Sequence, residues 1–384
     1  MRFEFATATR IIFGTGTASE LGQLASEKGS HALVVTGSNP DRVGDVIAHL
    51  SSSDVKHTIY SIADEPTIDV VNRGKETALN AGCDLVISIG GGSALDGGKA
   101  IAALIPNDGE ILDYLEVIGK GQKLKSQPIP FIAVPTTAGT GAEVTKNAVV
   151  ASPEHQVKVS LRDNRMLPDI ALIDPALTYS MPQSITASTG MDALTQVLEP
   201  YVSHLANPVT DGFCREGLRR AGRSLRQVYD NPNDVSARED MAMASVLGGL
   251  ALANAKLGAV HGFAGPLGGM YSAPHGAICA ALLPHVMKTN ISALQSREPN
   301  NIAVSRYDEV AQLIFADDTA TAQIAMDWID ETSKIFQIPG LATHGIKEED
   351  FDSIIEKSSR SSSMKGNPIK LTDEELATIL RSAL

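Results

Sequence analysis

Aromatic residues are scarce, at 4% with a single tryptophan, so the chain has little with which to build a stacking platform for nucleic-acid bases. Basic residues are also in deficit. Thirty-two Lys and Arg face 45 Asp and Glu, and the net charge of -13 argues against binding nucleic acid or an anionic membrane by bulk electrostatics. A phosphate-bearing cofactor stays open, because local backbone amides can hold one. Cysteine is rare: Cys83, Cys214 and Cys279 are odd in number, scattered and set in apolar contexts. That pattern gives no disulfide framework and no thiolate metal spacing, and it suits a reducing compartment. No apolar run approaches a membrane span, and the opening MRFEFATATR lacks the apolar core of a signal peptide. The expectation is a cytoplasmic protein with no membrane partner.

What remains is the composition of a globular enzyme-sized chain, 43% apolar and 20% charged over 384 residues, enough for two domains. Strand-like runs at ALVVT (32–36), HTIYSI (57–62), DLVISIG (84–90) and FIAV (131–134) alternate with amphipathic segments. That alternation predicts a parallel sheet covered by helices, with ligands at the carboxyl ends of the strands. NAVVAS, KVSLR and DIALIDP continue the strand character, and beyond Pro182 nearly every segment has a helical pattern. The predicted division is an α/β dinucleotide-binding domain over 1–181 and an all-helical domain over 182–384.

Gly90-Gly91-Gly92-Ser93 follows an apolar strand and opens a helix. Three glycines let the backbone approach a ligand closely, and the helix start offers amides to a pyrophosphate. The run is neither a strict GxGxxG fingerprint nor a Walker A loop, since no GK[ST] closes it. PTTAGTGAEVT (135–145) again sets hydroxyls and glycines after a strand, where they line a ligand site or simply solve a turn.

In GAVHGFAGPLGGMYSAPHG (258–276), His261 and His275 are separated by Pro266, Gly268, Gly269 and Pro274. These residues predict two helix ends facing each other across a turn, with His275 in the first turn of the second helix. Upstream, Asp192 and Gln196 lie four residues apart on one helical face. One carboxylate and two imidazoles form a candidate divalent-metal set, against the plainer reading of polar residues at helix ends. His285 reads as a helix-packing residue, and Lys158 and Asp163 as solvated positions.

Taken in order and spacing, GGGSALDGGKA (90–100), PTTAGTGAEVT (135–145), LIDPALT (172–178), STGMDALTQVLEPYVS (188–203) and HGFAGPLGGMYSAPHG (261–276) resemble the iron-containing, group III alcohol dehydrogenase family almost end to end. The resemblance implies a dinucleotide-binding α/β domain, a helical domain, NAD or NADP as cofactor, Fe2+ or Zn2+ in the cleft between the domains, and a homodimer. By position it makes Asp192, His261 and His275 catalytic metal ligands. Gln196 stands where the family's fourth ligand, a histidine, is usual, and is expected to ligate the metal weakly or hold its water; Gly265 stands where many members carry a proton-relay histidine. The implied cofactor contacts are Gly37, Ser38, Asn39, Gly91, Gly92, Ser93, Asp96, Thr136, Thr137, Thr140 and Val144. NAD-preferring members often carry an aspartate after the first cofactor strand, and Gly37 stands there instead. Its absence lifts an electrostatic penalty on the 2'-phosphate of NADP.

The chemistry implied is reversible hydride transfer between an alcohol and a nicotinamide, with the metal as Lewis acid. Three alternatives stand beside it: a metal-independent reductase resembling maleylacetate reductase, a facial-triad iron oxygenase, and a nucleotide-binding protein with a degenerate metal site.

Overall fold

The computed structural model describes residues 2–384, and it divides into two compact units. The first comprises Ala6–Thr137 and Ala142–Ser180. The second comprises Met181–Leu384 together with Ala138–Gly141 and residues 2–5.

The first unit is built on β1 (Arg10–Phe13), α1 (Leu21–Ser26), β2 (His31–Thr36), α2 (Gly44–Ser51), β3 (Lys56–Ser61), α3 (Ile68–Ala81), β4 (Leu85–Gly90), α4 (Gly92–Leu104), the single turn α5 (Ile111–Tyr114), β5 (Phe131–Pro135), β6 (Asn147–Ser152), β7 (Val157–Arg162) and β8 (Ile170–Ile173). Six strands form one parallel sheet in the order β1-β8-β5-β4-β2-β3. The central strands β4 and β5 are buried along their whole length, as expected of a parallel sheet covered on both faces, whereas the edge strand β3 alternates and carries polar residues. The strand-like NAVVAS and KVSLR stand apart from it as an antiparallel pair, β6 and β7.

Local chemistry sets the helix limits. The Thr67 hydroxyl accepts from the Val70 amide to open α3, and Gly82, at φ +70°, closes it. The α4 helix lies hard against the sheet because Gly97 and Gly98 face Ile62 and Ser88, where a Cβ would collide. These two glycines therefore serve packing, while Gly90 and Gly91 shape the turn.

The second unit is helical: α6 (Gln183–Val202), α7 (Pro208–Asp230), α8 (Val235–Ala255), α9 (Ala259–Met270), α10 (His275–Arg297), α11 (Ile302–Phe315), α12 (Ala322–Ile335), α13 (Phe351–Ser359) and α14 (Asp373–Ala383). Its core gathers Leu194, Val197, Leu218, Phe263, Ile278, Leu282 and Ile329, all fully buried. By length and composition α10 is the one unbent helix among the described residues apolar enough to cross a membrane, and 72% of its apolar window is buried in the protein.

The expected break in 258–276 is narrower than its glycines and prolines suggest. α9 runs unbroken through Pro266, Gly268 and Gly269, and only Tyr271–Pro274 separate it from α10. Pro266 removes one helical donor, but burial of Phe263, Ala264 and Leu267 holds the turn together. His275 is the first residue of α10, with Pro274 as its cap.

Candidate active site

In the first unit, parallel neighbours bring three sequence-distant loops to one sheet edge. Gly37–Asn39 follow β2, Gly90–Ser93 follow β4, and Thr136–Thr137 follow β5. The Thr136 amide donates to the Gly90 carbonyl at 2.9 Å. A Cβ on Gly90 would come within 2.7 Å of the Ala94 Cβ, and one on Gly91 within 3.3 Å of Thr137 Cγ2. The turn thus leaves no room for a Cβ at Gly90 and little at Gly91. Gly91 caps α4 without any side chain, leaving the first amides of the helix aimed at the sheet edge, a ready anion site. Asn39 uses its side chain to cap the Asp41 amide at 3.0 Å, and Gly37 has open space where a Cβ would stand.

Asp96 and Val144 are placed differently from the loop residues. Val144 is fully buried in a short 3-10 turn. The Asp96 carboxylate accepts from the Val149 amide at 3.1 Å and lies 3.6 Å from the ammonium of Lys99. Lys99, which the sequence reading passed over, is 1% exposed and donates to the carbonyls of Ala142 and Asn147 and the hydroxyl of Thr145. Glu143 joins this buried network, and burial pushes its carboxyl up to about 7. Burial likewise raises Asp96 to about 6, against the pull of Lys99. Two carboxylates facing one ammonium in a dry interior do not both ionise cheaply. Lys158 and Asp163 also depart from expectation: Lys158 pairs with Glu65 at 2.9 Å with its side chain almost buried, and Asp163 receives the Arg165 guanidinium and the Leu124 amide. His285 is half-buried on α10, consistent with packing.

In the second unit, α6 presents Asp192, Gln196 and Glu199 at successive turns, all buried. His261 comes from the first turn of α9, and His275 and Cys279 lie one turn apart on α10. Asp192 Oδ1 is 3.2 Å from His261 Nε2 and 3.8 Å from His275 Nε2. Cys279 Sγ is 3.8 Å and 3.7 Å from the same two nitrogens. These four donor atoms all fall within 4.8 Å of one another. Metal–ligand bonds of about 2.0–2.3 Å put neighbouring ligand atoms of a tetrahedral ion about 3.3–3.7 Å apart, so the observed spacing suits a divalent ion. Cys279, isolated from the other cysteines in sequence, is brought beside these side chains by the fold.

Glu199 was also missed, although its place seven residues after Asp192 put it on the same helical face. Its carboxylate accepts from the Val260 amide at 2.7 Å and from the His261 amide, at the start of α9, and bonds His261 Nδ1 at 2.7 Å. The positive helix end sustains the buried charge. Because the carboxylate takes Nδ1–H, Nε2 is the nitrogen that faces Asp192 and Cys279; its hydrogen bond to Asp192 keeps a proton there, and it would offer its lone pair to an ion that displaces that proton. Gln196 is directed elsewhere in part. A carbonyl only accepts, so its amide nitrogen points at Gly139 O, 2.6 Å away. Around Asp192, burial works against the charge, but the neighbouring His275 and His261 hold its carboxyl below the usual range. Burial opposes protonation of His275 too, yet Cys279 and Asp192 raise it to about 9. Gly265, one turn after His261 on α9, has nothing within 4 Å of where a Cβ would be.

A parallel sheet whose edge offers amides to a dinucleotide, and a helical unit with a buried carboxylate–imidazole set, are the parts of a metal-assisted dehydrogenase. Comparison with known proteins gives the family. Residues 8–175 match the iron-containing alcohol dehydrogenase family model, and residues 186–384 match the C-terminal model of the Fe-containing alcohol dehydrogenase family. Alcohol dehydrogenase 4 of Schizosaccharomyces pombe is 37% identical, over 97% of this chain and 87% of its own. The NAD-dependent methanol dehydrogenase of Bacillus methanolicus is 33% identical over 97% of each chain. A crystal structure of 1,3-propanediol oxidoreductase superposes with a TM-score of 0.92 at 33% identity, covering 100% of both chains. The chain belongs to the iron-containing alcohol dehydrogenase family. It is an NAD(P)-dependent oxidoreductase acting on CH–OH groups with a divalent metal.

Proposed function

We propose that this enzyme interconverts a small primary alcohol or diol with its aldehyde, as a cytoplasmic homodimer, through an ion held by Asp192, His261 and His275. The observation that carries this reading is the closure of those three side chains, from three helices, into one donor set, Asp192 and His261 buried and His275 partly exposed, with Glu199 behind His261. The ion, when bound, supplies Lewis acidity toward the alcohol or carbonyl oxygen, and the nicotinamide supplies or accepts the hydride.

The chain's own residues do the rest. Gly90–Ser93 and the first amides of α4 seat the pyrophosphate, and the Thr136, Thr137 and Thr140 segment lines the dinucleotide. Gly37 leaves the ribose 2'-position without a carboxylate, so both NAD and NADP are accommodated. Asp192 supplies the anionic donor, and Glu199 keeps His261 in the tautomer that offers Nε2 inward. With Gly265 in place of a side chain, the proton leaves by water rather than through that position. The methanol and 1,3-propanediol dehydrogenases among the relatives support short unbranched substrates.

The test is substitution of Asp192, His261 and His275 by alanine, one at a time, with metal content and aldehyde reduction measured on protein whose circular dichroism is unchanged. Joint loss of metal and turnover is expected for all three. Full activity in any metal-free variant would instead support a metal-independent reductase.

A further inference from the structure

Resting on the metal site proposed above, we propose that the Cys279 thiolate is a fourth protein ligand of the ion, with the substrate oxygen entering as a fifth, making this site selective for a thiophilic divalent metal such as zinc over iron(II). The reasoning starts from helix geometry. His275 and Cys279 are four residues apart on α10, so their side chains stack on one face, and both turn toward His261 and Asp192. Cys279 is fully buried, and its sulfur lies 3.7 Å from His275 Nε2 and 3.8 Å from His261 Nε2. A sulfur packed only as an apolar filler has no reason to sit equidistant from two imidazole nitrogens. A metal–sulfur bond of about 2.3 Å beside metal–nitrogen bonds of about 2.0 Å predicts a sulfur–nitrogen separation of about 3.5 Å, close to both values.

The other candidate for the fourth position is the Gln196 amide oxygen, a neutral donor weaker than a thiolate, on a side chain whose amide nitrogen donates to the Gly139 carbonyl at 2.6 Å. Ligand softness then sets the preference, because thiolate favours zinc over the harder iron(II). The two remaining cysteines are natural controls: Cys214 lies in the helical core and Cys83 in the sheet unit, and burial raises both as thiols. Neither is within the donor cluster.

Cobalt(II) reports thiolate ligation directly, through a near-ultraviolet sulfur-to-cobalt charge-transfer band that nitrogen and oxygen ligands do not give. Protein stripped by a chelator is reconstituted with cobalt(II), and its spectrum is read alongside its metal content. Wild-type protein and a Cys83→Ser/Cys214→Ser variant, in which Cys279 is the single thiol, are both expected to show the band. Cys279→Ser is expected to bind cobalt without it, and to lose at least about tenfold in zinc affinity while iron(II) affinity changes less. Stoichiometric cobalt with no such band, in wild type or in the single-thiol variant, overturns the thiolate ligand and leaves the Asp192/His261/His275 site standing. A band that persists in Cys279→Ser overturns it equally. Wild-type protein that takes up no cobalt overturns both readings together.

Discussion

At the scale of single residues, the site separates donors from the side chains that aim them. Glu199 touches no reacting group in this account; it holds His261 Nδ1 and two amides of α9. Glu199→Gln keeps the shape but can hold the ring in the wrong tautomer, so metal affinity should fall about 10–100-fold. A competitive zinc titration with a chromophoric chelator checks this, and unchanged affinity would remove Glu199 from the site. Gly37 allows an equally direct test, because a Cβ there meets nothing. Gly37→Asp should lower kcat/KM for NADPH relative to NADH by about tenfold or more, through repulsion of the 2'-phosphate. Equal ratios before and after would show that position 37 does not face the ribose. Single residues were also where the sequence was least informative. Asp192, His261 and His275 stood out by type and motif, whereas Glu199, Lys99 and Cys279 did not. Their partners lie 43 to 62 positions away, or come together only through the turn between α9 and α10. Two of them left a trace in spacing: Glu199 at i, i+7 from Asp192 and Cys279 at i, i+4 from His275.

At the scale of elements, periodicity carried most of the information. The alternation of buried strands and amphipathic helices gave the parallel sheet, and the switch to helical patterning gave the second unit's helices. The antiparallel pairing of β6 and β7 was not legible, because alternation marks a strand but not its partner. Nor was the continuity of α9 through Pro266, which tertiary packing enforces against local preference. The α4 element shows how packing and charge combine. Gly97 and Gly98 bring it onto the sheet, and buried Lys99 then ties it to the 142–147 segment. Lys99→Met leaves two carbonyls, Asp96 and Glu143 without their cation. It should destabilise the protein by about 3 kcal/mol, read as a lowered denaturation midpoint in urea. A change within about 0.5 kcal/mol would mean the ammonium is dispensable to the fold.

At the scale of the whole molecule, the buried network makes stability depend on pH. Glu143 has a folded pKa of about 7 against an ordinary 4.5, so the folded state holds its proton more tightly than the unfolded chain. That stabilisation is complete below about pH 4.5 and is lost as pH rises through about 7. Glu143→Gln should flatten this decline, which is on the order of 3 kcal/mol, and bring its gain over wild type to a maximum above pH 7. Thermal denaturation between pH 5 and 8 measures it, and parallel curves for the two proteins would contradict it.

The central claim is that one ion, held by the α6, α9 and α10 side chains, is required for alcohol–aldehyde interconversion. The most direct measurement is elemental analysis of freshly purified protein before and after chelation, with aldehyde reduction by NADH and NADPH followed on the same samples. The account predicts one zinc or iron per chain, loss of turnover in proportion to its removal, and recovery on adding the metal back. Undiminished turnover with no bound metal would contradict it.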